Sequence, residues 1–389
     1  MVARLENQRR LFLELIERLR PHWRRSAAQP ALLRQWLAAH RAGSRDRRLY
    51  RELAYTTWHI LPWVEHAAPD ELVGVVAACA EVTPATADFI AAYRMEPLPA
   101  RCDPARLWPD WLAEESPGAV SPAQQEALQR RAPVWIRLRQ ANEAAAVEAE
   151  LTAGGWIVRP ALALATAWRV EGPRDLTETS TFQEGRFEIQ DLGSQLLLEW
   201  VRPQPGEAWL DACAGAGGKS LQLASLLGPD GQVHSHDIRP LALRELAARA
   251  RRAGAANIQL LPRPPEPDAT FDGVLVDAPC TGSGTWRRAP HLKWVVERSD
   301  IARAAARQQQ LLERFSGHVR RGGRLVYATC SLCRSENEAV VQQFLERRSD
   351  FAVEPLPPTG GLLAGPLGLS ILPADLDTDA FFVSALRRR

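Results

Sequence analysis

Two cysteines stand where a strand-like run gives out, and their surroundings suggest chemistry. In Gly322–Glu338, GGRLVYATCSLCRSENE, the β-prone run Leu325-Val326-Tyr327 leads into Thr329-Cys330-Ser331, and Gly322-Gly323 before it marks a turn. Ser335, with Glu338 three residues on, reads as a capping box that opens a helix. In Phe271–Gly284, FDGVLVDAPCTGSG, the run Val274-Leu275-Val276 ends at Asp277-Ala278-Pro279, and Cys280 follows before a glycine-rich turn. An isolated thiol in an apolar run is more often a small buried hydrophobe than a catalyst. Two strand ends of one design, one with a carboxylate three residues before its thiol, make a constellation. In an open parallel α/β sheet, reactive side chains collect at the carboxyl edge, and Cys330 there is a candidate nucleophile.

The elements that must position these thiols alternate strand and helix from about residue 183 onward, which predicts a doubly wound sheet. Asp191 leads a helix within Phe187–Trp200. The run Ala208-Trp209-Leu210-Asp211 then enters Ala212-Cys213-Ala214-Gly215-Ala216-Gly217-Gly218-Lys219-Ser220, a small-residue loop ahead of a helix over Ser220–Leu227. Such a loop lets backbone N–H groups approach a ligand at a helix N-terminus. A phosphate-binding G-x-x-x-x-G-K-[ST] loop is disfavoured, because Cys213 stands where its first glycine belongs. A nucleotide, S-adenosylmethionine and a plain tight turn all fit this stretch. The next strand ends at Asp237, placed to meet the two hydroxyls of a ribose or to cap the helix over Leu241–Arg252. His234 and His236 read as ordinary strand residues, with no further ligands at metal spacing.

Residues 1–125 read as helical, with Ser44 as an N-cap and Leu49, Leu53 and Trp58 on one face of an amphipathic helix. Its other face carries Arg45, Arg47, Arg48 and Arg51, a solvated face by default, and Tyr50, Trp58 and Trp63 are core or base-stacking aromatics. Residues 126–182 form a strand–helix–strand–strand pattern, a small α+β module in which Arg137, Arg139 and Arg159 are surface charges or phosphate contacts. The chain's 389 residues suit two or three domains, and its net charge of +2 does not by itself imply nucleic acid. Lys219 and Lys293 are the only lysines beside 46 arginines, so each lysine calls for a local reason. Six scattered cysteines, an N-terminus unlike a signal peptide and no membrane-length apolar run predict a cytoplasmic protein with reduced thiols and no membrane association.

The segments DACAGAGGKS, the acid at the second strand, DAPCTGSGTWRRAPHLKW and YATCSLCRSENE resemble, in this order, the motifs of the RsmB-like, or Sun-type, RNA (cytosine-5) methyltransferases. QDLGSQ at 190–195 and DTDAFF at 377–382 extend the resemblance, PVWIRLR at 133–139 looks like the family's small RNA-binding module, and SRDRRLYRELAYTTW looks like its antiterminator-like helical domain. The resemblance implies a Rossmann-like S-adenosylmethionine-dependent methyltransferase domain over 183–389. In front of it stand a helical RNA-binding domain over 1–125 and an α+β RNA-binding module over 126–182. It implies Cys330 as the thiolate that attacks C6 of cytosine, Cys280 as the thiol that assists product release, and Asp277 as a hydrogen-bond partner of the cytosine ring. Cofactor contacts fall to Cys213, Ala214, Gly215, Ala216, Gly217, Gly218, Lys219, Asp237 and Asp277, and Lys293 is expected at the RNA backbone. The substrate implied is small-subunit ribosomal RNA, and the chain is expected to be a monomer.

The sequence departs from the family pattern at several places. Gly215-Ala216 replaces Ala-Pro, Ala242 stands where a basic residue is usual, His291 where an aspartate is common, and Ala380 where glycine is usual. Pro262–Pro264 stands where an aspartate near the adenine is expected, so adenine recognition rests on backbone and apolar contacts, or cofactor affinity is weaker. The readings kept open are a transfer RNA target, a catalytically weak or inactive RNA-binding assembly factor on the same fold, and a redox protein using Cys330-x-x-Cys333. A DNA cytosine-5 enzyme is disfavoured, since those place the nucleophile on the Pro-Cys strand.

Overall fold

The structure, a computed structural model, describes residues 2–40, 43–172, 175–357 and 362–389. It divides into two compact units: Met1–Glu114 with Arg288–Arg298, and Glu115–Arg287 with Ser299–Arg389. Among the described residues no helix is long and apolar enough to cross a membrane.

The first unit is helical. Helices Val2–Leu19, Gln29–Ala39, Ser44–His59 and Pro69–Cys79 bury apolar faces at helical spacing, including Phe12, Leu15, Leu33, Leu49, Leu53 and Val76. Ser44 is the first helical residue, not the N-cap; Gly43 flanks the helix and no side chain caps it. Tyr50, Trp58 and Trp63 lie in this core and are not available to stack on bases. The arginines of the polar face stay exposed, and Arg45 pairs with Asp88 at 3.0 Å.

The segment Arg288–Arg298 completes this core, which corrects the expectation for Lys293. Its side chain is buried, donates to the His59 carbonyl at 3.1 Å, and lies 4.7 Å and 4.8 Å from the Trp108 and Trp294 rings. The aromatic faces and one carbonyl take the place of water around the ammonium, so this lysine is a core residue and not an RNA contact. His291 packs against Trp58 at 5.3 Å in the same core. Burial lowers its pKa to about 4, and burial lowers that of Lys293 to about 7.

Both shifts make this unit more stable at higher pH. Between pH 6.5 and 4 the unfolded chain binds a proton at His291 that the folded chain refuses, so roughly 3 kcal/mol is lost as pH falls through that window. For Lys293 the cost is full below pH 7 and fades as pH rises toward the ordinary lysine value. Amide-exchange protection of helix Ser44–His59 is expected to fall from pH 6.5 to 4.5, and His291→Gln to flatten that limb. An equal acid loss in His291→Gln would assign it to other groups.

The second unit holds two sheets. In the smaller, β1 (Val134–Leu138), β2 (Ile157–Ala161), β3 (Leu164–Glu171) and β4 (Phe187–Ile189) pair antiparallel in the order β2-β3-β1-β4, with helix Ala144–Ala153 on one face. The fourth strand comes from residues read as the approach to the Asp191 helix, so the small sheet runs past residue 182. Arg137 is buried in this sheet with its Nε 2.8 Å from Gln190, and Arg139 bonds the Ala253 carbonyl at 3.1 Å; only Arg159 of the three expected basic residues is exposed.

The larger sheet is built from β5 (Ala208–Asp211), β6 (Gln232–His236), β7 (Ile258–Leu261), β8 (Phe271–Asp277), β9 (Val319–Thr329), β10 (Phe351–Glu354), β11 (Leu363–Gly365), β12 (Gly368–Ile371) and β13 (Phe381–Arg388). Strands β7-β6-β5-β8-β9 are parallel, β13 runs antiparallel beside β9, and β10 and β12 share its other edge. Trp209, Leu210, Val274–Val276 and Leu325–Ala328 are buried, as continuous apolar strands covered on both faces require. The Gly322-Gly323 pair lies inside β9: residues 320–323 face Asp272 alone, a bulge and not a turn before the strand. Strand order reverses between β5 and β8, which opens a crevice at their carboxyl ends.

Candidate active site

β8 and β9 are parallel neighbours with Asp277 beside Ala328, and the ladder ends on a bond from Ala278 N–H to the Ala328 carbonyl at 2.8 Å. The chain beyond each strand therefore leaves the sheet at the same level, and the Sγ atoms of Cys280 and Cys330 come within 3.5 Å. Both thiols are partly exposed. The Cys280 thiol is held well above its ordinary pKa by its hydrogen bond to Cys330, then by burial and the charges of Cys330 and Glu336. Cys333 is fully buried near Ser283, and burial pushes its thiol up to about 12. The sulfur that Cys330 meets is thus Cys280, while the Cys333 sulfur lies 3.7 Å from Ser283 Oγ.

The loops are fastened by side chains that the sequence reading did not single out. Gly284 N–H donates to the Cys330 carbonyl at 3.0 Å, and a Cβ on Gly284 would stand 2.6 Å from the Ala380 carbonyl and 2.8 Å from that of Cys330. Ser283 Oγ accepts from Leu332 N–H at 2.8 Å. Asn337 bonds the Ser331 carbonyl at 2.9 Å and accepts from Thr329 at 2.5 Å. Glu336, fully buried, bonds both cysteine loops. The expected capping box does not form: the next helix starts at Glu338, and Ser335 instead donates through its hydroxyl and N–H to Glu115 at 2.8 and 3.0 Å.

The crevice beside β5, β6 and β8 holds a cavity of about 540 Å³. Cys213, Ala214, Gly215, Ala216, Gly218, Lys219, Asp237 and Asp277 all line it, so eight of the nine expected cofactor residues meet in one place. The ninth, Gly217, shapes the loop from behind with φ +90°, and a Cβ there would stand 2.5 Å from Leu246. The loop is tied down by Arg249, which is paired with Glu188 and donates to the Ala216 carbonyl at 2.9 Å. The helix that follows runs Gly218–Leu227, starting two residues earlier than expected.

Charges around the cavity are paired in defined ways. Lys219 Nζ lies 2.8 Å from Asp277 Oδ2 and 5.2 Å from the Phe381 ring, so it ties the loop to the end of β8. Asp237 accepts from Gly215 N–H at 2.9 Å, from Arg239 N–H at 2.8 Å, and from the Arg239 guanidinium at 3.0 Å on each oxygen. Burial raises this carboxyl, and the Arg239 and Gly215 donors outweigh it and hold it below the usual range. Asp211 is buried and bonded to Ser220 at 2.7 Å; burial pushes it up to about 7. Cys213 is raised by burial and three nearby carboxylates, which leaves it an inert wall residue. His236 bonds the Leu261 carbonyl at 2.9 Å and His234 packs on Phe271, both as strand residues. Ile238, Arg239, Leu311, Arg314 and Phe315 also line the cavity and were not foreseen; the helix Arg298–Ser316 brings the last three from far along the chain.

Fold and cavity together define a Rossmann-like domain of the methyltransferase kind. A family model described as 16S rRNA methyltransferase RsmB/F matches residues 198–387. The ribosomal RNA small subunit methyltransferase B of Serratia proteamaculans is 32% identical over 74% of this chain and 68% of its own length. That of Pasteurella multocida is 31% identical over 72% of this chain and 65% of its own length. A probable methyltransferase B of Synechocystis is 35% identical over 55% of this chain and 50% of its own length. The chain thus spans half to two thirds of the length of these relatives. Among solved structures, PH0851 shares the fold over 98% of this chain and 99% of its own, with a TM-score of 0.77 at 22% identity. A methyltransferase homolog from Pyrococcus horikoshii matches 69% of this chain and 90% of its own at 28% identity, with a TM-score of 0.60. The chain belongs to the RsmB/F methyltransferase family.

Proposed function

We propose that the protein is an S-adenosylmethionine-dependent RNA (cytosine-5) methyltransferase that acts on small-subunit ribosomal RNA. The observation that carries this reading is the Cys280–Cys330 pair, 3.5 Å apart, on loops that continue the wall of the crevice cavity. The residues present fit the cofactor. A glycine loop that lines the cavity precedes a helix N-terminus, Asp237 stands ready for a ribose, and Ile238, Leu311 and Phe315 supply apolar wall for a base. At Asp237 the Gly215 and Arg239 N–H groups are fixed donors, while the Arg239 guanidinium stands on a side chain 67% exposed and is the exchangeable partner. In this reading apolar contact from Ile238, Leu311 and Phe315 takes the place of the acid missing at Pro262–Pro264. When bound, S-adenosylmethionine supplies an electrophilic methyl group.

The chain's own residues prepare the base. Cytosine C5 is a weak nucleophile until a thiolate adds to C6 and makes C5 enamine-like. Cys330, partly exposed at the end of β9, is the adding thiol. In this reading Asp277, at the end of β8, hydrogen-bonds the ring and favours its protonation at N3. Cys280 holds its proton beside the sulfur that must later depart. The helical unit and the small sheet are the RNA-binding parts of this reading.

The test is to map 5-methylcytosine by mass spectrometry in ribosomal and transfer RNA from cells with and without the gene. One lost position in small-subunit RNA is the expected result. A lost transfer RNA position would reassign the substrate, and no lost position together with no cofactor binding by calorimetry would leave a non-catalytic assembly factor.

A further inference from the structure

We propose that Glu336 is a positioning residue for the methyl-transfer reaction, fixing the Cys280 and Cys330 thiols relative to each other through Thr281 and Ser331. The inference rests on the two-cysteine reading above. Glu336 Oε1 accepts from Thr281 Oγ at 2.5 Å and from Ser331 Oγ at 2.6 Å. Its Oε2 accepts from Thr281 N–H at 2.9 Å and from Gln308 Nε2 at 2.9 Å. Thr281 and Ser331 are the residues directly after the two cysteines, so one carboxylate grips both thiol-bearing turns at equivalent points. Gln308 also donates to the Pro279 carbonyl at 3.1 Å, so the residue before Cys280 and the residue after it are both fastened to this group. The Tyr327 hydroxyl donates to the Glu336 carbonyl and anchors it to β9.

The place of this clamp in the fold gives it a purpose beyond stability. The β8–β9 ladder stops at Ala278, two residues short of Cys280, and Gly284 rejoins the loop to Cys330 from the far side. Between those two bonds the spacing of the sulfurs is set by side chains, and Glu336 spans the gap. A buried carboxylate with four donors is well satisfied, and its oxygens cannot rotate away without leaving donors unpaired. The Cys280 thiol is raised first by its hydrogen bond to Cys330 and by burial, and the nearby Glu336 charge adds to the same direction.

Glu336→Gln keeps the side-chain volume but removes the charge and replaces one acceptor oxygen by a donor. With an unmodified small-subunit ribosomal RNA transcript, kcat is expected to fall roughly 100-fold, as for reacting groups misplaced by about 1 Å, while the KM for S-adenosylmethionine stays within about two-fold. A second readout needs no RNA. In a Cys330→Ala background, Cys280 is expected to be alkylated by iodoacetamide at lower pH once Glu336→Gln removes the charge. Should Glu336→Gln fail to fold, Thr281→Val with Ser331→Ala removes both hydroxyl limbs and is expected to lower kcat in the same direction. Wild-type kcat together with an unchanged alkylation profile would overturn the proposal. Cys330→Ala run alongside separates the cases: if it still transfers methyl, the two-cysteine reading itself fails, and if it is dead while Glu336→Gln turns over normally, only the role of Glu336 is lost.

Discussion

Cys330→Ala is expected to reduce methyl transfer by on the order of 10⁴-fold or more, to below detection, because in the proposed mechanism it deletes the atom that bonds to the substrate. Cofactor affinity, measured by calorimetry, is expected to stay within about two-fold of wild type, since the cavity is walled by β5, β6, β8 and the helix Arg298–Ser316 and Cys330 is not among its lining residues. Selectivity for this thiol has a physical basis. Of the six cysteines, Cys333 and Cys213 are held as thiols by burial, and burial likewise pushes Cys79 up to about 11. Cys280 is raised by its bond to Cys330 itself. Loss of transfer with intact cofactor binding supports covalent catalysis at this position. Residual turnover near that of wild type in Cys330→Ala would sink it, and Cys280 would be the next sulfur to test.

How much of this was legible in the residues depended on how local each signal was. The apolar runs before Asp277 and Thr329 are bounded by turn residues on both sides, so their ends, and therefore Cys280 and Cys330, could be placed from sequence. The glycine loop and Asp237 could be placed for the same reason. That the two sulfurs meet follows from β8 and β9 being adjacent and in register, which periodicity does not encode. Glu336 was hidden because S-x-x-E from Ser335 imitates a helix start, while its partners Thr281 and Gln308 lie 55 and 28 residues away. Lys293 misled for the opposite reason. Its rarity and its motif-like setting suggested a ligand, but the segment around it turns out of the α/β unit and its charge is spent among tryptophans. The short strands β4, β10, β11 and β12 carry three or four residues each, too few to show a period.

The far end of the site shows the same division between local and distant signals. Asp191 was readable as a helix cap, and it does accept from Gly193 N–H at 3.0 Å. The same carboxylate also accepts from Thr378 at 2.5 Å, and Asp377 is held by Arg169 and Arg287 at 2.6 Å each. These bonds join the start of β13 to the small sheet and to the loop after Cys280. Asp377 sits at φ +51°, a conformation that an unpaired non-glycine residue resists and that two guanidinium contacts can hold in place. The DTDAFF segment therefore braces the junction of β13 with the Asp191 helix, the small sheet and the loop after Cys280, a role its sequence alone gave no means of assigning.

Cys280→Ala is expected to separate bond formation from bond breakage. Once C5 carries its new substituent, the C5 proton must leave to a base and the C6–S bond must break with its electron pair returning to Cys330. Cys280 is the group 3.5 Å from that sulfur, and the causes that raise its pKa keep a proton on it at neutral pH. A hydrogen bond from this thiol stabilises negative charge developing on the departing sulfur, and an alanine methyl cannot supply it. Attack by Cys330 needs no such donor, so the adduct still forms and then persists. The expected readout is a cofactor-dependent, slow-migrating protein–RNA band on a denaturing gel, absent in Cys330→Ala and in Cys330→Ala/Cys280→Ala, with multiple turnover lost. The same band on adding Cys280→Ala protein to RNA without S-adenosylmethionine would move the block to an earlier step. Normal turnover without any band would mean that Cys280 neighbours the chemistry and takes no part in it.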